Sequence, residues 1–481
     1  MPNECLHADR SRFTPHLSAN SWIGERFLFQ INRLRLRLQL RTGRCAILNL
    51  GLLLTTCSSV SLGSGNDVDK RGLCPEFPQA RGHAMRPNLF GYGAAVLLSI
   101  SSAVHAQTTT QDIKARAERL LSPLVDTRDG RLQVVATFDH QVTGVTVAPD
   151  GRIFVNFPRW TEDTPVSVAE LMPDGSIKPY PDQEWNSWRN ARMSEVSPSD
   201  HFVCVQSVVA DQRGSLWVVD PAAPNAEKTI KGGPKVVEID LKSNNVKRSF
   251  PIPSEVAGPG SYLNDIRIAP DRKFAYLTDS GSPGGLVVLK IESGEAWRVL
   301  SDDPSTQFDP SVNVMSDGRP VRRPDGRQPL FNADSLALSK DGNTLYWQAL
   351  TGKTLYKIRT PDIQNPDAAS RARPETVATT EPVDGLWTGE NDEIYLSSIA
   401  DNAVKALNPQ DGSIRQLLTD SRLRWPDTFS QGPDGAVYVT ASHIQDSPWF
   451  HMTWTDKNFT LFKFMPREAN AAASDGAFKQ K

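Results

Sequence analysis

Cysteine is scarce in this chain and badly placed for bridging. Of the five, Cys5, Cys45, Cys57 and Cys74 precede residue 85, which leaves Cys204 with no later partner. A disulfide-stapled scaffold is therefore excluded beyond that point, and the fold must be held by burial. An excess of one charge is also missing: 53 Lys and Arg face 55 Asp and Glu. No broad field for nucleic acid or an anionic membrane follows from that balance. The apolar stretches Ala46–Leu54 and Leu89–Ile100 are too short to cross a bilayer comfortably. No HExxH or CxxC pair offers a zinc site, and no G-x-S-x-G elbow, Walker loop or Rossmann glycine set is present. Placed in the apolar strand pattern HFVCVQSVV (201–209), Cys204 reads as a buried, inert thiol.

What is present begins late. Residues 85–107 read MRPNLFGYGAAVLLSISSAVHAQ: a positive start at Arg86, a short apolar run, and Val104-His105-Ala106 before Gln107. That is the pattern of a secretory signal peptide over 85–106, and it predicts a secreted or periplasmic protein. Residues 1–84, with the Leu/Arg alternation INRLRLRLQLRTGRC, lack a domain's patterning and read as a non-mature extension. Two other readings stay open: an export segment at 46–56 ahead of Cys57, or a genuine extension. A short helical leader is expected over 107–129, with TQDIKARAERLL (110–121) as its helix, and a disordered tail over 467–481.

Between them, one phrase recurs six times: a polar residue, an apolar strand, an Asp/Gly turn, a second strand. The copies are VTGVTVAPDGRIFVNF, VQSVVADQRGSLWVVD, LNDIRIAPDRKFAYLTDS, ADSLALSKDGNTLYWQAL, VDGLWTGENDEIYLSS and PDTFSQGPDGAVYVTAS. Each predicts a β-hairpin. Strand-like segments such as 233–252, 284–300 and 402–418 lie between them and suit the outer pair of a four-stranded blade. The expected fold is all-β, a six-bladed β-propeller over 130–466. The final copy is followed by one clear strand, NFTLFKFMP (458–466), while GRLQVVATFD (130–139) precedes the first copy unpaired. The N-terminal strand is expected to close the last blade and remove the exposed edges.

Aligned on their turns, the copies place Thr143, Gln206, Asn264, Asp334, Asp384 and Asp427 at one register position, six residues before the turn. In a propeller such positions start the innermost strands and form a ring at one mouth of the channel. His201, Tyr262, Phe331 and Trp425 belong to the loops feeding those strands. A polar ring under aromatic side chains, Phe331 and Trp425 foremost, is the make-up of a small-molecule pocket. The rival role for each ring residue is to tie down its own loop. Three carboxylates at one mouth repel one another, which a cation, a proton or a cationic ligand relieves. A hard-oxygen metal site with Asn264 and Asp334 among its ligands would take Ca²⁺ or another divalent cation rather than zinc. No cofactor is required by the sequence. His443 reads as a satisfied loop histidine, and the long connection 301–332 as a cover over the ring.

The third to sixth copies, with LNDIRIAPDRKFAYLTDSGSPGGLVVLKIESGEAWRVL (263–300), SLALSKDGNTLYWQALTGKTLYKIRT (335–360) and WPDTFSQGPDGAVYV (425–439), resemble the major royal jelly protein and yellow family. The resemblance covers about residues 130–455. It implies an exported six-bladed propeller and, from some insect members, binding of small amines. The disulfides usual in eukaryotic members are missing here. More distantly the chain resembles the senescence marker protein and gluconolactonase propellers, whose channel metal is held by a Glu, an Asn and an Asp. Asn264 and Asp334 fall at matching phases, while Thr143 stands where the Glu would be.

The expected function is thus binding of an amine or polyhydroxylated molecule at the channel mouth by Thr143, Gln206, Asn264, Asp334, Asp384, Asp427, Phe331 and Trp425. The alternative is a metal-dependent lactone hydrolase with Asp384 or Asp427 as general base. A monomer is expected, with no nucleic-acid partner and no stable membrane insertion once the signal is removed.

Overall fold

The structure, a computed structural model, describes residues 127–389 and 391–466. The expected non-mature extension, signal peptide (85–106), helical leader (up to residue 126) and disordered tail (467–481) lie outside the described residues, as does Glu390. No helix among the described residues is long and apolar enough to cross a membrane.

Six four-stranded antiparallel sheets form a β-propeller. From the channel outward, the inner hairpins are Gly144–Val147 with Ile153–Asn156, Ser207–Ala210 with Ser215–Asp220, Leu263–Ile268 with Phe274–Asp279, Ala333–Leu338 with Thr344–Ala349, Val383–Thr388 with Ile394–Ser398, and Pro426–Gln431 with Val437–Ala441. These are the six hairpins expected from the repeat. The last blade adds Thr460–Phe464 and then Gln133–Thr137, which pair antiparallel with Gln133 opposite Lys463 and Thr137 opposite Thr460. The chain's first described strand therefore closes the ring, as anticipated.

One turn chemistry builds the hairpins. An Asp side chain accepts the amide two residues on: Asp150 from Arg152, Asp211 from Arg213, Asp271 from Lys273, Asp434 from Ala436. The next position, or in blade 2 the third after Asp211, then takes a left-handed conformation. Glycine does so at Gly151, Gly214, Gly342 and Gly435, while Arg272 and Asp392 adopt it at φ 60° and 58°.

Both faces of each blade are covered by its neighbours, so central strands read as nearly continuous apolar runs. Trp217, Val219 and Val236 of blade 2 pack on Leu263, Ile266 and Leu277 of blade 3. Val145 and Val155 of blade 1 meet Tyr438 and Leu461 of blade 6. Burial of this kind, roughly 1.5–3 kcal/mol per large apolar side chain, stabilises the ring without a disulfide. Cys204 is buried and free, as expected.

Candidate functional site: a carboxyl-lined cavity at the channel mouth

The aligned polar residues sit where the regular ladder fails. Register shifts interrupt the inner hairpins between Leu263 and Ile266, Ala333 and Ser335, Val383 and Leu386, and Pro426 and Phe429. Asn264, Asp334, Asp384 and Asp427 all fall inside these irregular stretches. Irregularities of this kind re-aim side chains. The displaced amides are taken up by hydroxyls on the second strand. Thr278 Oγ1 accepts from Asp265 N (3.1 Å), Ser397 Oγ from Asp384 N and Gly385 N (3.1 and 2.7 Å), and Thr440 Oγ1 from Thr428 N (3.1 Å).

Two of those hydroxyls also stitch blades together. Thr278 Oγ1 donates to the Asp334 carbonyl (2.5 Å) and Thr440 Oγ1 to the Thr143 carbonyl (2.6 Å). Gly385 packs against the next blade so closely that a Cβ there would stand 1.8 Å from the Asp427 carbonyl oxygen. Sequence reasoning missed this hydroxyl set. Its signal was a Ser or Thr near the end of the second strand in three copies.

The result is one cavity of about 260 Å³, whose wall includes Gln206, Asn264, Asp334, Asp384, Asp427, Phe331 and Trp425. Seven of the eight side chains proposed from sequence thus share a single space. Thr143 is not in that wall: its hydroxyl, wholly buried, accepts from Asn156 Nδ2 (3.0 Å). In blade 1 the position serves its own hairpin. His201 is likewise held elsewhere, by Ser197 O and Asp200 (both 2.8 Å). Tyr262 does line the cavity, hydrogen-bonded to Trp160 Nε1 (2.5 Å) and Gln206 Oε1 (3.0 Å). Trp160 and Trp449, their rings tilted at 37° with centroids 4.7 Å apart, add aromatic wall that the repeat did not flag.

The 301–332 connection covers the mouth as expected. Phe308, Arg323, Leu330, Phe331 and Asn332 face the cavity. Val314 and Val321 are buried in the same apolar cluster as Trp425, Trp188 and Ile444.

Asp334, Asp384 and Asp427 are each under a tenth exposed. Asp334 and Asp384 are hydrogen-bonded to each other. Burial pushes all three carboxyls up: Asp384 to about 7, and Asp334 and Asp427 well above their ordinary range. Their mutual repulsion, and that of Asp265, adds to the desolvation. Such a group shares protons as a unit. Trp425 Nε1 opposes the rise at Asp384 by donating to Oδ2 at 2.5 Å.

Deeper along blade 3, Arg267 donates to the Leu386 carbonyl of blade 5 (2.8 Å) and lies over the Trp387 ring. Blades 3 and 5 are not neighbours, so this guanidinium spans the channel. It approaches Asp265 at 3.5 Å, a buried charged pair beside the carboxyl ring.

For a metal, the donors on offer are oxygens, which suits Ca²⁺ or Mg²⁺. Asn264 keeps an ordered amide, accepting from Gln206 Nε2 (3.3 Å) and donating to Ser280 Oγ (3.0 Å). Asp334 carries the carboxylate nearest in register. A cation here would be held by Asn264 Oδ1 and Asp334, with Asp384 and Asp427 adjoining.

Comparison with known proteins agrees with the repeat. The family model described as major royal jelly protein matches residues 203–419. The chain is thus similar to the major royal jelly proteins over that segment. It is 23% identical over 270 residues to the protein yellow of Drosophila guanche, covering 53% of this chain and 45% of that one. With the protein yellow of Drosophila melanogaster the identity is 22% over 270 residues, 53% of this chain and 47% of the other. The chain thus matches about half the length of these relatives. Among solved structures, a gluconolactonase from Xanthomonas campestris gives a TM-score of 0.43 at 11% identity, covering 71% of this chain and 91% of that one. A calcium-binding regucalcin from Agrobacterium tumefaciens gives 0.43 at 12%, covering 69% and 96%.

Proposed function

We propose that this chain is an exported binding protein whose cavity holds a small cationic molecule, an amine before a polyol. The observation that carries this reading is the convergence of Asp334, Asp384 and Asp427 in one buried cavity walled by Phe331, Trp425 and Trp160. Three carboxyls in that setting cannot all ionise unaided, and an ammonium group relieves both their repulsion and their desolvation. The aromatic faces suit the organic body of such a ligand, with cation–π attraction as a further contribution. Arg323 at the rim is part-exposed and faces solvent as well as the cavity. Export rests on the 85–106 segment. A monomer, with a small molecule rather than nucleic acid or membrane as partner, completes the proposal.

A thermal-shift screen tests it, because a ligand that binds the native state raises apparent stability. Aliphatic and aromatic amines, sugars and divalent cations are compared on wild type and Asp334→Ala. Stabilisation by amines that the variant loses supports the reading. Equal response of both proteins to every compound rejects it.

A second reading, lactone hydrolysis, is favoured by Asp384, whose carboxyl near 7 suits a general base at neutral pH. A divalent cation on Asn264 and Asp334 would polarise the lactone carbonyl and lower the pKa of water. Asp384 or Asp427 would take the proton of the attacking water. Elemental analysis of the purified protein, with lactone hydrolysis assayed after addition of Ca²⁺, Mg²⁺, Mn²⁺ or Zn²⁺, decides this reading. Absence of both a bound metal and lactone hydrolysis rejects this reading.

A further inference from the structure

Arg424 stands immediately before the cavity residue Trp425, yet it faces away from the carboxyl ring. Its guanidinium holds two separate loops. Toward the 301–332 cover, Nη2 meets Asp317 Oδ2 at 2.5 Å and Nε approaches Oδ1 at 3.4 Å. Toward the 443–457 loop, Nη1 meets Asp446 Oδ2 at 2.8 Å and Asp456 Oδ2 at 2.9 Å, with Nη2 at 3.2 Å from Asp446 Oδ1. His443 Nδ1 lies 3.3 Å and 3.4 Å from the same two carboxylates. The ligand atoms of His443, Asp446 and Asp456 are close enough together for a metal ion. The cation present among them is the guanidinium.

Both loops are walls of the cavity. The cover contributes Phe308, Leu330 and Phe331, and the second loop contributes Ile444 and Trp449. Asp317 is the tip of the cover's only regular feature, a two-residue hairpin between Met315–Ser316 and Arg319–Pro320. Asp317 and Gly318 take φ 50° and 71°, as a tight Asp-Gly turn requires. Val314 and Val321 beside it are buried against Trp425 and Ile444. The ion pairs thus tie the hairpin tip to the loops that carry Trp425 and Ile444.

We propose that Arg424 is the latch of the cavity: its simultaneous pairing with Asp317, Asp446 and Asp456 keeps both loops closed, and ligand access requires the Asp317 pair to open. The functional meaning rests on the binding reading above, but the latch itself is testable without any ligand. Cys204, wholly buried in the apolar cluster that contains Val314, Val321 and Trp425, is a built-in reporter. Its thiol, pushed up to about 12 by burial, reacts only when that cluster opens.

The experiment uses the full chain. Labelling of Cys204 by N-ethylmaleimide is followed by peptide mass spectrometry, together with amide hydrogen exchange over 311–323 and 443–457. Asp317→Asn removes the charge at the hairpin tip, and Asn tolerates the same left-handed conformation, so the turn is kept. Arg424→Met removes the whole latch. Asp325→Asn, which breaks the exposed Asp325–Arg327 pair elsewhere in the same cover, is the control. Asp317→Asn is expected to speed labelling and exchange over 311–323 about fivefold, with Arg424→Met also speeding 443–457 and the blades unchanged. Wild-type rates in Asp317→Asn, or equal acceleration in Asp325→Asn, overturn the latch. A working latch with no amine bound in the thermal-shift screen would instead reject the binding reading.

Discussion

Trp425 Nε1 donates to the Asp384 carboxyl across 2.5 Å, and it does so from a backbone at φ 49°. An aromatic residue in the left-handed region is strained by about 1–3 kcal/mol and persists only where its surroundings fix it. Here Ser442 fixes it, giving both its amide and its hydroxyl to the Trp425 carbonyl at 3.1 Å. The indole thus arrives at the carboxyl ring already oriented. Trp425→Phe keeps the wall but removes the donor. It is expected to weaken binding of the amine found in the thermal-shift screen about tenfold, as loss of a hydrogen bond to a charged group costs about 1.5–3 kcal/mol. Isothermal titration of both proteins is the check.

The carboxyl cluster ties stability to pH. Asp384, Asp334 and Asp427 hold their protons more tightly folded than unfolded. Their contribution is fully present below the unfolded carboxylate range, near pH 4, and is lost as pH rises through the folded value of about 7 at Asp384. The melting temperature should therefore fall between about pH 4 and pH 7, and Asp334→Asn should flatten that slope. Thermal unfolding at half-unit pH steps measures it, and a parallel pH profile in the variant contradicts the assignment.

The same protons oppose a cationic ligand. Affinity for an amine is expected to rise as pH increases through about 7, while the amine itself stays protonated. A neutral polyol should show a weaker dependence. Titrations at pH 5.5 and pH 8 separate the two ligand classes.

Away from the mouth, Lys235 and Asp220 form a wholly buried pair at 2.7 Å, and Asp220 also accepts the Val203 and Cys204 amides (2.7 and 3.0 Å). Lys235→Met strands a buried carboxylate that orders the loop before blade 2. A loss of about 3–5 kcal/mol in chemical denaturation is expected.

Gly385→Ala drives a methyl into the Asp427 carbonyl of the next blade. Backbone cannot yield there as a flexible side chain would, so destabilisation of at least about 1–3 kcal/mol is expected, with loss of the cavity's shape. Denaturant midpoints check this.

The propeller was legible in the sequence because each hairpin carries its own turn. Asp150, Asp211, Asp271 and Asp434 announce the position at which the strand reverses, and alternation around them sets the register. Asn264, Asp334, Asp384 and Asp427 were legible for the same reason, since their phase follows from the turn. Thr143 shows where phase stops being enough. It shares the register, but Asn156 across its hairpin claims the hydroxyl, and a cross-strand side-chain pair leaves no periodic trace. Trp160, Trp449 and Arg424 were invisible for a related reason. They sit on irregular loops, where position depends on long-range partners such as Asp317, more than a hundred residues from Arg424.

The most direct measurement is the affinity at pH 8, by isothermal titration, of Asp334→Asn for the amine that best stabilises the wild type. The asparagine keeps the shape of the side chain and removes the ionisable carboxyl that an ammonium would pair with. A loss of about tenfold or more is predicted for a charge pair desolvated in this setting. Undiminished affinity would contradict the assignment of the carboxyl ring as the binding site.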